Sequence, residues 1–383
     1  MILITNLRLK RFLVSGVFPV FSGLNKVVKK EDDEIFIYCA NDILNDNSLA
    51  IFKYLVDNHY NEKYKIICGV SNPNVYKHLI DKNIAFIPKS KCVWQYLKSG
   101  HVLYSMGKMP IKPTNKQIVI NMWHGTPIKK IGKMVSEDNG EEFFFTYLCA
   151  SSELYADIMA KCFGCPRENV VICGEPKTDR LFEEKIKKDV KTILWAPTFR
   201  QSKYLGYEDS SVKDILPYIK QEEWQELNDI LKNNNVDMIV KLHPMQDVDV
   251  KYITDFSNLH IYTDQMFQAK NMDLYSELAQ ADGLITDYSS VYLQYLMLNR
   301  PICFAMPDYD EYAKSRGFVF DNPLEYMPGV RALSKNDIYN FIRDINMGKD
   351  EYYGERCRVN KLVNYYNDGN NCQRILELSN IRL

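Results

Sequence analysis

Short runs of β-branched, aromatic and other apolar residues recur along the chain, each followed by a longer mixed segment. Glu34–Ala40 (EIFIYCA), Tyr64–Gly69, Ala85–Pro88, His101–Ser105, Gln117–Met122 (QIVINM), Thr146–Ala150 and Val170–Gly174 read as strands. Ser48–Asn58, Asn74–Leu79, Val93–Lys98 and Ser152–Cys162 read as the intervening helices, with Ser48 placed to cap the first. Such alternation means parallel sheet with crossover connections. The stretch Phe182–Lys191 (FEEKIKKDVK) is almost wholly polar and reads as a linker or an exposed connecting helix. The alternation then restarts: strands Thr192–Ala196, Val236–Leu242, His260–Thr263, Gly283–Thr286 and Ile302–Ala305, helices Glu222–Lys232, Asp273–Ala279 and Ser290–Leu298, and helical pattern from Lys335 on.

Two α/β halves joined by a polar hinge predict two Rossmann-like domains, 31–185 and 186–383, facing a central cleft, with helices at the carboxyl end. The 383 residues suit two domains, and a 46% apolar fraction is enough for both cores. Net charge is −1, so nothing global announces nucleic acid. The ten cysteines sit mostly inside strand-like runs, which fits buried thiols rather than a disulfide framework. Cys162 and Cys165 form one C-x-x-C without a second pair or matching histidines, so no metal site is expected.

Residues 1–30 carry Arg8, Lys10, Arg11, Lys26, Lys29 and Lys30 and no acid, around the apolar Phe12–Leu24. That run is too short to span a bilayer, which takes about 20 residues. It fits adsorption to an anionic membrane surface, or a first helix packed on the body with its lysines solvated.

In open α/β sheets, ligands bind beyond the carboxyl ends of the strands. Asn121–Lys130 (NMWHGTPIKK) follows one strand. His124 at the strand end is placed to take a proton from an attacking hydroxyl; a histidine ordering a turn would occupy the same position. Gly125 permits close backbone approach, and Thr126-Pro127 reads as the cap and first residue of a helix that could bind phosphate. Lys241-Leu-His-Pro244 repeats the design in the second half, with His243 and Lys241 as phosphate contacts or turn residues. Thr286-Asp-Tyr-Ser-Ser290 joins a strand to a helix. Asp287 or Ser289 could cap that helix, and the clustered hydroxyls could cradle phosphate. Arg200, after Ala196-Pro-Thr-Phe, could clamp a phosphate, and Lys177 in Gly174–Asp179 is a weaker candidate. Asp308, Asp310 and Glu311 read as solvated surface. Neither G-x-G-x-x-G nor a Walker loop is present. The pattern describes a site for a nucleotide-diphosphate donor, with charge met by helix ends and cations rather than by a metal or other cofactor.

WHGTPIKK (Trp123–Lys130), APTFR (Ala196–Arg200), KLHP (Lys241–Pro244) and TDYSSVYLQYL (Thr286–Leu296) resemble the CDP-glycerol glycerophosphotransferases of teichoic acid or capsule synthesis. Asn45–Ser48, Gly174–Asp179, Asn299–Ile302 and Pro307-Asp308 extend the likeness, in the family's order. The resemblance implies a two-domain GT-B-like fold with an N-terminal acceptor domain and a C-terminal nucleotide-donor domain. It implies peripheral attachment to the cytoplasmic membrane face, a CDP-glycerol or CDP-polyol donor, and an undecaprenyl-linked glycan or polyol-phosphate acceptor. His124 is then the base and His243 the pyrophosphate contact that eases loss of CMP. Gly125, Thr126, Lys177, Thr198, Arg200, Lys241, Thr286, Asp287, Ser289, Ser290 and Gln294 are the expected donor contacts. Lys177 stands where the family usually has Arg, and Gln294 where it is usually acidic. Two rivals share these features: a CMP-sugar, sialyltransferase-like capsule enzyme, and a non-catalytic glycan-binding relative. WHGTP favours the first reading, and retention of both histidines argues against the last.

Overall fold

The computed structural model describes residues 16–40, 42–107, 109–135, 143–198, 214–243 and 256–383, with backbone at 201–202 and 207–208. They fall into two compact units. One comprises the chain up to Gly125, Ile131–Asp179 and Asp368–Leu383; the other comprises Thr126–Lys130 and Arg180–Asn367.

The first unit is built on seven strands: β1 (Glu31–Tyr38), β2 (Lys65–Val70), β3 (Ile84–Pro88), β4 (Ser99–Tyr104), β5 (Ile118–Asn121), β6 (Tyr147–Ala150) and β7 (Val170–Ile172). Their order is β3-β2-β1-β4-β5-β6-β7 and every pairing is parallel. A sheet covered on both faces needs strands apolar on both sides, and Ile35, Phe36 and Ile37 are all fully buried. The order reverses between β1 and β4, so the ends of those strands open a crevice where a ligand can enter.

Lys30 is not a solvated cation. It is buried, and its ammonium donates to the Asn25 side chain and carbonyl and to the carbonyl of Leu97. Burial lowers its pKa to about 8. Asn25 in turn donates to Gln117 Oε1 and to the Lys112 carbonyl, so the helix Phe18–Asn25 is fastened to the unit at its carboxyl end. Arg8, Lys10 and Arg11 lie outside the described residues.

The last sixteen residues do not belong with the second half, where the sequence pattern put them. The helix Asn371–Leu378 docks on the first unit, and Cys372, Ile375, Leu376 and Ile381 enter its core. Asp179 caps this helix from a distant point of the chain, accepting the amide hydrogens of Asn371 and Cys372 at 2.8 Å each. Gly174 (φ 73°) explains its own presence here: a Cβ would lie 2.2 Å from Asn371 Oδ1.

The second unit carries β8 (Lys191–Ala196), a short ribbon of β9 (Gln201–Ser202) and β10 (Tyr207–Glu208), β11 (Val236–Lys241), β12 (Leu259–Tyr262), β13 (Gly283–Thr286), β14 (Ile302–Ala305) and β15 (Val330–Ala332). Its main sheet runs β12-β11-β8-β13-β14-β15, all parallel, and reverses between β8 and β13. The polar stretch after Phe182 forms no helix up to Lys191 and is fastened to this unit. Lys185 pairs with Asp282 at 2.6 Å, and the Ile186 amide donates to Gln280 at 2.8 Å. The boundary therefore falls at Asp179/Arg180. The cysteines are free thiols.

Candidate active site

β5 delivers the chain to a turn that no ordinary strand end makes. Trp123 adopts a left-handed backbone, φ 53°, which a bulky residue holds only when its surroundings impose it. Asn121 Oδ1 accepts the Trp123 amide at 3.0 Å, and Asn47 Nδ2 donates to the Trp123 carbonyl at 2.9 Å. The Trp123 ring lies 4.0 Å from the His124 ring and meets Phe163 edge-on. Gly125, at φ 149°, follows in a conformation that favours glycine.

His124 is exposed by surface area, yet protein crowds its ring. Desolvation, reinforced by Lys177, lowers its pKa to about 4; Glu175 and a hydrogen bond to the Ser105 backbone oppose the shift. The imidazole is neutral at pH 7 and free to accept a proton. Ser105 lies just after β4, at the crevice of the first sheet, and its hydroxyl is 2.9 Å from that of Ser48. Ser48 is thus a buried partner of Ser105, not a cap; the helix Asp46–Asp57 starts after Asn45.

No helix follows Thr126-Pro127. Residues 126–130 run as an extended strap within the second unit, bridged at Lys129 to Phe318. The Lys130 amide donates to Gly317 O and the Val319 amide to Ile128 O. Tertiary pairing overrides the local start signal, and the helix-end phosphate site expected at Thr126 is not formed.

Lys177 is buried and committed. Its ammonium lies 2.7 Å from the His124 carbonyl oxygen, 3.1 Å from Asp46 Oδ2 and 3.5 Å from Glu175 Oε2. Sequence reasoning missed Asp46 and Glu175 as parts of this centre, because no local pattern joins them.

In the second unit the switch point between β8 and β13 gathers Thr198, Thr286, Asp287, Ser289 and Ser290. Thr286 Oγ1 donates to the Ala196 carbonyl at 2.8 Å, so it staples the two strands rather than facing a ligand. Asp287 is fully buried, and both its carboxylate oxygens accept the Thr198 amide at 3.0 Å. Held in this way, it fixes the end of β8. The Thr198 hydroxyl is buried with no hydrogen-bond partner among the described residues. Ser289 and Ser290 are partly exposed, and Ser290 makes no side-chain cap to the short helix Val291–Tyr295. Gln294 is buried in that helix, its Oε1 3.5 Å from Tyr275 Oη, so it does not present itself to a ribose. Asp308 is likewise no surface acid: it is buried and accepts from Tyr288 Oη at 2.9 Å.

His243 follows β11, beside β8. Desolvation, with Lys129 and Lys241, lowers its pKa to about 4 against the pull of Asp264. Lys241 is paired with Asp264 at 2.6 Å, and Lys129 is a further cation acting on His243 that the motif reading missed. Arg200 and Pro244 lie outside the described residues. Among the described residues no cluster of His, Cys, Asp and Glu suits a metal ion.

Two doubly wound parallel sheets, with polar residues gathered at their strand ends, define a GT-B-like α/β protein. Residues 21–379 match the family described as CDP-Glycerol:Poly(glycerophosphate) glycerophosphotransferase, and the chain belongs to it. The chain is 33% identical over 262 residues to the teichoic acid glycerol-phosphate primase of Bacillus subtilis (strain 168), a match covering 66% of this chain and 60% of that protein. It is 29% identical over 242 residues to the teichoic acid poly(ribitol-phosphate) polymerase of Bacillus spizizenii, covering 58% of this chain and 35% of that one. The chain thus spans only part of these relatives' length. Similarity to the teichoic acid glycerol-phosphate transferase of Staphylococcus aureus (strain NCTC 8325 / PS 47) is 23% over 408 residues, covering 96% and 98%. The solved structure of the wall teichoic acid polymerase TagF shares the fold, with a TM-score of 0.73 at 20% identity, covering 97% of this chain and 95% of that one.

Proposed function

We propose that the chain transfers glycerol phosphate, or a related polyol phosphate, from a CDP-activated donor to a hydroxyl of a lipid-linked glycan or polyol-phosphate chain. The observation that carries this reading is the neutral, solvent-reaching His124 on a braced turn at a strand end. The acceptor hydroxyl gives its proton to His124 as its oxygen bonds to the β-phosphorus. The bond from that phosphorus to the bridging oxygen breaks, and CMP leaves with the electron pair. His243, Lys129 and the hydroxyls of Thr198, Ser289 and Ser290 meet the pyrophosphate charge. Release of CMP from CDP-glycerol, CDP-ribitol and CMP-sialic acid, each with a polyol-phosphate acceptor, tests the reading. CMP is expected from a CDP-polyol; release from CMP-sialic acid alone would replace the function with glycosyl transfer.

His243 adds a prediction. Neutral in the free protein, it gains a proton when pyrophosphate charge beside it raises its pKa. Donor binding at pH 6 should therefore take up protons. Calorimetry in buffers of different ionisation enthalpy should show this in the parent and not in His243→Ala. Identical heats in all buffers for the parent would rule the linkage out.

A lipid-linked acceptor requires an enzyme at the bilayer surface. No described helix is long and apolar enough to cross a membrane. On the helix Phe18–Asn25 and just beyond, Val20, Leu24 and Val27 are exposed at a spacing that puts them on one stripe, with Lys26 and Lys29 also exposed. We read this as a peripheral contact with the anionic cytoplasmic face. Replacing Val20, Leu24 and Val27 with Ser should weaken binding to phosphatidylglycerol vesicles by at least about tenfold, since each CH₂ no longer buried forfeits roughly 0.8 kcal/mol. Equal sedimentation of variant and parent would assign the contact elsewhere.

A further inference from the structure

The turn that carries His124 is held at two successive carbonyls. Asn47, fully buried, donates to that of Trp123 at 2.9 Å, and Lys177 donates to that of His124 at 2.7 Å. The two holders are themselves joined: Asn47 Oδ1 accepts the Lys177 amide at 3.0 Å. The ammonium also meets two carboxylates, Asp46 at 3.1 Å and Glu175 at 3.5 Å. Lys177 and Glu175 are both nearly sealed from solvent. A lysine in that position reaches a phosphate only by leaving the His124 carbonyl and two ion pairs, and unpairing a buried ammonium is strongly destabilising.

We propose that Lys177, clamped between Asp46 and Glu175, is the positioning residue for His124 and not a donor-phosphate contact, with Glu175 as the counter-charge for the proton His124 receives. Its chemical part rests on the function proposed above; its structural part does not. The charged groups that act on the ring are Lys177, which disfavours imidazolium, and Glu175, which favours it. Asp46 stands behind Lys177, while the Trp123 ring and the Ser105 backbone bring no net charge. As the hydroxyl proton moves to the imidazole, the cation that forms is stabilised by Glu175. The clamped ammonium keeps both the carbonyl and the carboxylate where that stabilisation needs them.

The test is an NMR titration of the His124 ring in the ligand-free protein, run beside turnover and calorimetric donor affinity, for Glu175→Gln, Lys177→Met and the conservative Lys177→Arg. In Glu175→Gln the ring should titrate at lower pH than in the parent, and in Lys177→Met at higher pH. Lys177→Met should lower kcat on the order of 10²-fold, the scale of a misplaced catalytic group, with donor Kd within about threefold of the parent, far short of the tenfold that 1.4 kcal/mol of lost contact gives. Lys177→Arg should recover part of that turnover. Should Lys177→Met fail to fold, Glu175→Gln decides alone, since it keeps the site's shape and an oxygen acceptor. An unmoved His124 titration in Glu175→Gln overturns the proposal. So does a tenfold loss of donor affinity in Lys177→Met with the titration unmoved, which would make Lys177 a phosphate contact. A parent protein that releases CMP from no donor would defeat the proposed function, and the titration would still decide this inference.

Discussion

Replacing His124 with alanine is expected to lower turnover by about 10²–10⁴-fold, the range associated with loss of a general base. Donor affinity should stay near that of the parent, because the cations and hydroxyls assigned to the pyrophosphate belong to the second unit and are untouched. The pH dependence carries the sign. A base must be unprotonated, and His124 is held below the ordinary histidine value, so kcat should remain high down to mildly acidic pH and fall only as pH approaches the depressed pKa. The same shift makes a stability statement. The unfolded chain binds this proton near pH 6.5 and the folded chain only lower. The stabilisation is therefore fully present above pH 6.5 and is lost as pH falls towards the folded value. Single-turnover release of CMP across pH 4–9, calorimetric donor titration of the variant and denaturant unfolding of the parent and variant over the same pH range check these claims. A variant with near-normal turnover would take the base away from His124.

Asp287→Ala should cost the second unit about 1–3 kcal/mol, the penalty of leaving a buried amide without its acceptor. Its carboxylate faces the Thr198 amide across the point where strand order reverses, so its loss frees the end of β8 as well as weakening the sheet. Hydrogen exchange should accelerate at the β8 and β13 amides while the strands of the first unit exchange as before. Donor affinity should fall with it, because Thr198 then lacks a fixed backbone. Asp287→Asn, which retains an oxygen to accept the amide, should recover much of the loss. Unchanged exchange in Asp287→Ala would remove this residue from the framework of the donor site.

Much of this architecture was legible in the sequence, for a physical reason. Strands buried on both faces must be apolar throughout, so EIFIYCA and QIVINM announce themselves, and parallel order follows from the helices between them. The strand-end rule then located His124, His243 and the Thr286–Ser290 segment. What escaped was set by distant partners. Thr126-Pro127 has every local mark of a helix start, yet residues 128–130 find hydrogen bonds at Gly317 and Val319 and stay extended. Asp287 looks like a cap, yet the amide it satisfies lies 89 residues away. Lys30 counted as a surface cation until Asn25 and the Leu97 carbonyl were seen to enclose it. In each case the residue type was informative and its partner was not, because the partner's position is fixed by the sheet order.

The discontinuity of the two units also bears on how members of this family can exchange parts. A chimera that takes its second unit from a relative needs junctions at 125/126, 130/131, 179/180 and 367/368, not one central seam. A single crossover after Asp179 would import a foreign helical segment, Asn371 to Ile381, into the core of the host's first unit. There Asn371 must fit against Gly174, and Cys372, Ile375 and Leu376 must fill a cavity shaped by another sequence. It would also leave the host's own residues 126–130 to pair with a donor's Gly317 and Val319. Recombination that respects only the linear midpoint should yield misfolded hybrids, and shuffling of specificity within the family should follow the four-junction boundary.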